Sequence, residues 1–351
     1  MKIIEKAIYQ TKTGVEREGV NEFVKSLNLG IDCSDFEWFN TKSKNHIPNT
    51  TNSYSGIANI HKINHIQRIN KFFEEVNRKL EKGQYFLICV ETKNTRKRKI
   101  LNNYPKLVGY SIYFLDFTFK RVLPKLSLTK KIYFWFTKGN NRVLSLTESL
   151  GRLVSCGFDI IGYQRIGFTT YILGQKQSYP AYDLQPTYEA LVQLKRIGYQ
   201  GKKIKLYKLR TMHPYSEYLQ EYIFNKNGTS DGDKIIGDFR VTNWGKIFRK
   251  FWIDELPMIW NLIKGDLKLV GVRPLSEHKF YTYPEYLRNK RTKVKPGLIP
   301  PYYVHLPKTP EEFFDAEEIY LNRYIQKPIR TDIEYFLKAL YNIFIKKARS
   351  N

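Results

Sequence analysis

The chain has 351 residues, with 59 Lys and Arg against 33 Asp and Glu, and a net charge of +26 calls for anionic company: nucleic acid, anionic lipid or phosphorylated substrate. Cys33, Cys89 and Cys156 are too scattered for a disulfide framework or a zinc pattern, which points to a reducing compartment. No apolar run approaches the ~20 residues of a spanning helix, and Lys2, Glu5 and Lys6 with no apolar stretch behind them do not read as a signal peptide.

The length suggests two domains, 1–180 and 181–351. In the first, Asn40 to Ser55 is rich in Asn, Thr, Ser and Lys and reads as a loop. Asn64 to Leu80 reads as a helix, with Ile66, Ile69, Phe72, Phe73, Val76 and Leu80 on one side. Gly83 ends it, and Tyr85 to Val90 reads as a buried strand. Leu107 to Phe119 is aromatic-rich, broken by Asp116 and followed by Lys120 and Arg121, a composition suited to a membrane interface or to a core. Thr147 to Cys156 is a short helix capped by Gly157, and Phe158 to Lys176 looks like two strands around Gly162 to Gly167. Helix, glycine, strand and a late helix leading into a β-hairpin resemble the second half of a class I methyltransferase domain. The glycine-rich cofactor loop of such enzymes is missing upstream. The resemblance implies a degenerate Rossmann-like domain kept for docking or regulation.

The second domain is α/β in character. Tyr215 to Gly232 has Ser, Asn, Gly and Asp clusters and reads as a loop, with a lid role over the site as its functional reading. His213 stands beside Pro214 next to the proposed site, in a structural or supporting position. After Trp252 the pair Asp254-Glu255 precedes Pro257, and Leu256, Ile259, Trp260 and Ile263 recur at helical spacing. Gly265 stops the helix, Leu267 to Val270 is a short strand, and Gly271 and Pro274 bracket Arg273 in a turn. Two carboxylates at a helix start are usually dipole compensation. They also suit phosphate chemistry, since a carboxylate beside a divalent cation can attack phosphorus while a guanidinium neutralises the equatorial oxygens. Near the C-terminus Ile333, Phe336, Leu337, Leu340 and Phe344 form an apolar stripe read as core-facing.

The surrounding segments decide between these readings. Lys208-Leu209-Arg210-Thr211-Met212, then Asp238 to Lys250, Asp254-Glu255-Leu256-Pro257, the block Gly265-Asp266 to Arg273-Pro274-Leu275, and Lys295-Pro296-Gly297 occur in one order. In that order they resemble the bacterial sugar transferases, the monotopic polyprenyl-phosphate phosphoglycosyl transferases, from about Tyr188 to Leu340. The resemblance implies transfer of a sugar phosphate from a UDP-sugar donor to undecaprenyl phosphate, a polyprenyl phosphate acceptor, with release of UMP and with Mg²⁺ as cofactor. It implies Asp254 as nucleophile and metal ligand, forming a covalent phospho-sugar. Glu255 would be its partner, in metal organisation or proton handling, and Arg273 would contact phosphate. Lys208 and Arg210, a basic pair at a strand end, suit the donor diphosphate.

Three departures stand out. The family's re-entrant membrane helix before the catalytic segment has no counterpart here. Val272 stands where the family commonly has proline. Ile299-Pro300-Pro301-Tyr302-Tyr303-Val304 replaces the usual run after Lys-Pro-Gly, which bears on nucleotide or acceptor recognition more than on the chemistry. The expected fold is thus α/β, with a degenerate Rossmann-like domain followed by a catalytic domain without a membrane hairpin. The expected place is the cytoplasmic face of the inner membrane, peripherally, on an anionic surface or through a membrane-protein partner. A non-catalytic scaffold in polysaccharide assembly is the alternative. Nucleic acid is not expected as a partner, because no recognition helix or RNA-binding signature accompanies the charge.

Overall fold

The computed structural model describes residues 14–49, 54–182, 189–227, 229–230, 234–235 and 238–346. The chain divides into two compact units, Met1–Glu189 with Met212–Lys226, and Ala190–Thr211 with Asn227–Asn351.

The first unit is built on a five-stranded, Rossmann-like mixed sheet. Its strands are β1 (Phe36–Phe39), β2 (Gly56–Asn59), β3 (Tyr85–Val90), β4 (Phe158–Ile166) and β5 (Thr169–Lys176), in the order β1-β2-β3-β5-β4. The first three run parallel, and β5 lies antiparallel between β3 and β4. Helices cover both faces, so β3 reads as an unbroken apolar run. Leu87 and Cys89 share a cluster with Val20, Phe23 and Val24 of helix α1 (Gly14–Ser26). On the alternate positions Phe86 meets Phe73 of α2 (Ile69–Lys79) edge-on. The buried face of α2, Ile69, Phe72, Phe73 and Val76, follows the i, i+3, i+4, i+7 spacing of an amphipathic helix. Gly167 turns the β4–β5 hairpin with φ of 58°. This is the strand pair the sequence placed there, and no helix among the described residues is long and apolar enough to cross a membrane. The three cysteines are buried, and none forms a disulfide among the described residues.

Between β3 and β4 come α3 (Lys93–Asn103), α4 (Lys106–Phe117), α5 (Ser127–Thr137) and α6 (Leu146–Ser155). The acid that interrupts the aromatic segment is its anchor: Asp116 accepts from Arg96 Nε and Nη2 at 2.5 and 2.8 Å, and from Lys120 Nζ at 2.6 Å. Its apolar residues do not form a core. Leu107, Phe114 and Leu115 are exposed, as are Leu128, Ile132, Trp135 and Phe136 of α5.

Ser216 to Asn227 is helical rather than a loop, a 3-10 turn followed by α7 (Gln220–Asn227). Leu219 and Ile223 are fully buried, and the apolar spacing of this stretch outweighs its polar composition. Of the rest of the lid segment, Thr229–Ser230 is a short strand and 228, 231 and 232 lie outside the described residues.

The second unit opens with the antiparallel hairpin of β6 (Leu191–Ile197) and β7 (Lys203–Leu209). After the short pair β8 (Thr229–Ser230) and β9 (Lys234–Ile235) comes α8 (Asn243–Lys250), capped by Thr242. A 3-10 helix, Ile253–Met258, runs into α9 (Ile259–Ile263), and Gly265 ends it at φ of 74°. Strand β10 (Lys268–Val270) pairs in parallel with β11 (Gly297–Ile299) across α10 (Glu277–Tyr281) and α11 (Glu285–Thr292). After α12 (Tyr302–His305), α13 (Pro310–Gln326) and α14 (Pro328–Phe344) close the unit. Their core is aromatic, with Tyr320 against Tyr335 at 4.9 Å between ring centroids, joined by Val270, Val272 and Leu321. The core face of α14 is Thr331, Tyr335, Ala339 and Asn342, so Ile333, Leu337 and Phe344 point outward, against the expected core packing. Phe336 alone of that stripe joins the cluster.

Candidate active site

The site begins where α8 ends. Gly245 lets the first turn of α8 lie directly on Thr211, since a Cβ there would come within 2.1 Å of the Thr211 carbonyl oxygen. Thr242 donates to that same oxygen from N and from Oγ1, at 2.9 and 3.1 Å, and Arg249 Nε donates to Thr211 Oγ1 at 3.0 Å. Trp252 then turns the chain in the left-handed region, φ 54°, a conformation that a bulky residue holds only when its surroundings fix it. Its indole N–H donates to the Tyr303 hydroxyl at 2.9 Å.

Asp254 and Glu255 follow in the first turn of the 3-10 helix. The expected amphipathic α-helix over Leu256 to Ile263 is therefore a 3-10 turn with a short α-helical end, because Pro257 sits inside it. Leu256, Ile259, Trp260 and Ile263 are exposed, as are Trp244, Ile247 and Phe251 before them. Asn261 is the residue that buries: it is 0% exposed, accepts from Tyr207 N at 3.1 Å, and donates to the Lys205 carbonyl at 2.8 Å and to Asp266 Oδ2 at 3.1 Å. Asn261 thereby fastens the dyad turn to β7, and β7 delivers Lys208.

The Lys208 ammonium donates to Glu255 Oε1 at 2.5 Å, in a half-buried ion pair. Partial burial pushes the Asp254 carboxyl above the usual aspartate range, helped by Glu255 and opposed by Lys208 and Arg249. Arg273 reaches the same place from the turn after β10. Its Nη1 lies 3.4 Å from the Tyr302 hydroxyl, and that hydroxyl, with Glu255 acting more weakly, keeps the guanidinium firmly charged. The Arg273 carbonyl is held by Arg291, which is itself buried and paired with Glu317. Glycine is needed at Gly297, where a Cβ would meet the Gly271 backbone nitrogen at 2.0 Å, so the turn bearing Arg273 can press against β11.

Four of the residues singled out in the sequence thus share one site: Asp254, Glu255, Lys208 and Arg273. Arg210 stands just past the end of β7, its backbone N–H on the Ala190 carbonyl at 2.7 Å. His213 lies in the segment that groups with the first unit; it is buried, and burial together with Arg121 and Lys93 pushes its imidazole down to about 3. Tyr302 and Tyr303 join the site as well, from a stretch marked only as a departure from the family pattern, with neither side chain singled out. The one cue was an aromatic pair directly after Pro300-Pro301.

Asp254 and Glu255 are hard oxygen donors of the kind a magnesium ion takes when phosphates and waters complete its shell. Among the described residues no group of three or more His, Cys, Asp and Glu gathers that could hold a metal by itself.

Residues 178–346 match the family model described as bacterial sugar transferase. The motif resemblance therefore holds over the C-terminal region. The chain is 39% identical over 103 residues to an uncharacterized sugar transferase, EpsL, of Bacillus subtilis, covering 29% of this chain and 45% of the relative. It is 36% identical over 113 residues to the UDP-glucose:undecaprenyl-phosphate glucose-1-phosphate transferase of Caulobacter vibrioides, 31% of this chain and 38% of that one. With the undecaprenyl-phosphate galactose phosphotransferase of Salmonella typhimurium the identity is 36% over 108 residues, 29% and 22% of the two chains. The chain thus spans less than half the length of these curated relatives. A methyltransferase structure from Thermotoga maritima, described as a possible histamine N-methyltransferase, aligns over 38% of this chain and 61% of its own. Its identity is 14% and its TM-score 0.24, too low to carry an argument about the first unit.

Proposed function

We propose that the protein is a phosphoglycosyl transferase that moves a sugar 1-phosphate from a UDP-sugar to a polyprenyl phosphate, at an early step of cell-surface glycan or exopolysaccharide synthesis. The observation that carries this reading is the convergence of Asp254, Glu255, Lys208 and Arg273 within a region that matches the sugar transferase family. In the first step an Asp254 carboxylate oxygen bonds to the sugar-bearing phosphorus. The bond from that phosphorus to the bridging oxygen breaks, and UMP leaves with the electron pair. In the second, an oxygen of the polyprenyl phosphate displaces Asp254 from phosphorus and restores its carboxylate. Arg273 neutralises the phosphoryl oxygens, while Lys208 fixes Glu255 and, with Arg210, faces the donor diphosphate. Asp254 and Glu255 would hold Mg²⁺, which when bound supplies positive charge to the diphosphate.

A peripheral position on an anionic membrane surface accompanies this reading. It is supported by the exposed apolar residues of α4 and α5, with Lys97, Arg98, Lys99, Lys106, Lys130 and Lys131 in the same stretch, and by the exposed Trp244, Phe251 and Trp260 of the catalytic unit.

The test is UMP release from a panel of UDP-sugars by the full chain, in liposomes carrying undecaprenyl phosphate and with Mg²⁺. Release that is lost in Asp254→Asn and on chelation with EDTA is the expected result and names the donor sugar. Liposome binding without UMP release from any donor would replace the enzyme with a scaffold.

A further inference from the structure

We infer that the first unit carries an anion site of its own, a cavity between α2, α6 and the segment after α4 that takes a small phosphate-bearing ligand. The cavity measures about 330 Å³, at the small end of ligand pockets, and Arg68, Arg121, Lys125, Arg142, Arg152 and Tyr215 are among the residues that line it. Arg121, Arg142 and Arg152 are each more than nine-tenths buried.

Buried cations are ordinarily matched by anions, because desolvation penalises each uncompensated charge. Here the match fails. Arg121, Lys125 and Arg152 converge on the single carboxylate of Glu148, at 2.8, 3.3 and 3.1 Å. The other acid of the lining, Glu74, is taken by Lys71 at 2.7 Å. Three cations therefore share one anion in the cavity wall. The unmet demand shows in Lys125, whose ammonium is pushed down to about 7 by burial and by Arg121. Buried His213 feels the same surplus: burial together with Arg121, Lys93 and Lys125 pushes its imidazole down to about 3.

The donors are arranged for an oxygen-rich guest. Arg152 places its terminal nitrogens on Asn70 at 2.6 Å and on Glu148, while its Nε has no partner among the described residues. Tyr215 covers the Arg152 guanidinium, 4.3 Å from its ring centroid, and holds that fork in place. The N-terminal end of helix α2 also lines the cavity, through residues 67–71, and no side chain among the described residues caps it, which leaves its first N–H groups and the positive end of its dipole at the cavity's edge. Surplus guanidinium and ammonium, an unpartnered buried N–H and an uncapped helix start together recognise a phosphomonoester or diphosphate. The inference does not depend on the transferase reading.

The experiment uses the full chain carrying Arg273→Gln, so that phosphate affinity at the transferase site is reduced, and titrates it calorimetrically with inorganic pyrophosphate. Lys125→Gln and Arg68→Gln are then added singly; Arg68 is exposed, so the second variant leaves the fold intact. The expected result is one saturable site weakened roughly tenfold or more by either change, the worth of one charge-assisted hydrogen bond. A parallel arm replaces pyrophosphate with vesicles containing phosphatidic acid. Binding of free pyrophosphate that both variants weaken identifies a soluble ligand. Binding confined to the vesicles, and weakened by both variants, identifies a lipid headgroup. Binding to neither, or binding that both variants leave within about twofold, overturns the inference.

Discussion

Replacing Asn261 with leucine tests the link between the fold and the site most directly. The side chain is 0% exposed and makes three hydrogen bonds, one from the Tyr207 N–H, one to the Lys205 carbonyl and one to Asp266. Leucine is close in volume, so the cavity contribution is small. What remains is the cost of stranding the two backbone groups of β7 away from water, roughly 1–3 kcal/mol each, for a total near 4 kcal/mol. With a urea m-value of roughly 2 kcal/mol/M, the unfolding midpoint should fall by about 2 M. Equilibrium unfolding would be followed through the fluorescence of Trp252 and Trp260, which flank the dyad in sequence. Because Tyr207 adjoins Lys208, UMP release should fall as well, even well below the melting temperature. A stability loss under about 1 kcal/mol would refute the reasoning, since it would mean that the backbone of β7 finds other partners without strain.

Four further outcomes are expected. In Lys208→Met, the acid limb of the rate of UMP release should move to higher pH, because Lys208 is the strongest influence pulling the Asp254 carboxyl down; an unmoved limb would show that another group titrates. Asp254→Asn should melt higher than the wild type at pH 7. A carboxyl whose folded value is raised is costly to the fold once ionised, a cost absent below the unfolded value, so the difference should close toward pH 3. Gly245→Ala should destabilise by roughly 1–3 kcal/mol and lower activity, since its Cβ must push α8 off the Thr211 carbonyl; a melting curve within 1 °C of wild type would count against that contact. Leu128→Ser with Trp135→Ser, at positions 89% and 73% exposed, should leave stability within about 0.5 kcal/mol and sharply reduce flotation with anionic vesicles. Undiminished flotation would assign membrane contact elsewhere.

Much of this architecture was legible from periodicity. The spacing of Ile69, Phe72, Phe73 and Val76, the run Tyr85–Val90 and the glycines at Gly157 and Gly265 each correspond to an element in the place read for it, because local pattern and burial agree there. In the candidate site, the motifs singled out Asp254, Glu255, Lys208 and Arg273, which the structure brings together, since chemistry-bearing residues of fixed type leave the plainest trace. What was not legible depended on partners distant in sequence. An apolar stripe does not declare whether it meets protein or another surface, and Leu107, Leu256 and Ile333 all point outward. Asn261 looked like any polar residue of a helix, yet its three bonds tie together strand and turn some 54 residues apart. Tyr302 and Tyr303 lay in the segment that departs from the family pattern, so no motif marked them.

The placement of Met212–Lys226 with the first unit bears on how the protein can be divided. Strand β7, which carries Lys208, runs straight into this segment, and the chain then returns to supply Asp254 and Arg273. The two units are consequently stitched rather than strung. A fragment starting at Ala190 would retain every residue of the proposed dyad site, yet it would carry a helical segment whose Tyr215, Leu219 and Ile223, now 3%, 0% and 0% exposed, had lost the surface they pack against. Such a fragment would be expected to aggregate through that segment, and the second unit freed from its neighbour would need the segment shortened and closed rather than the chain merely cut.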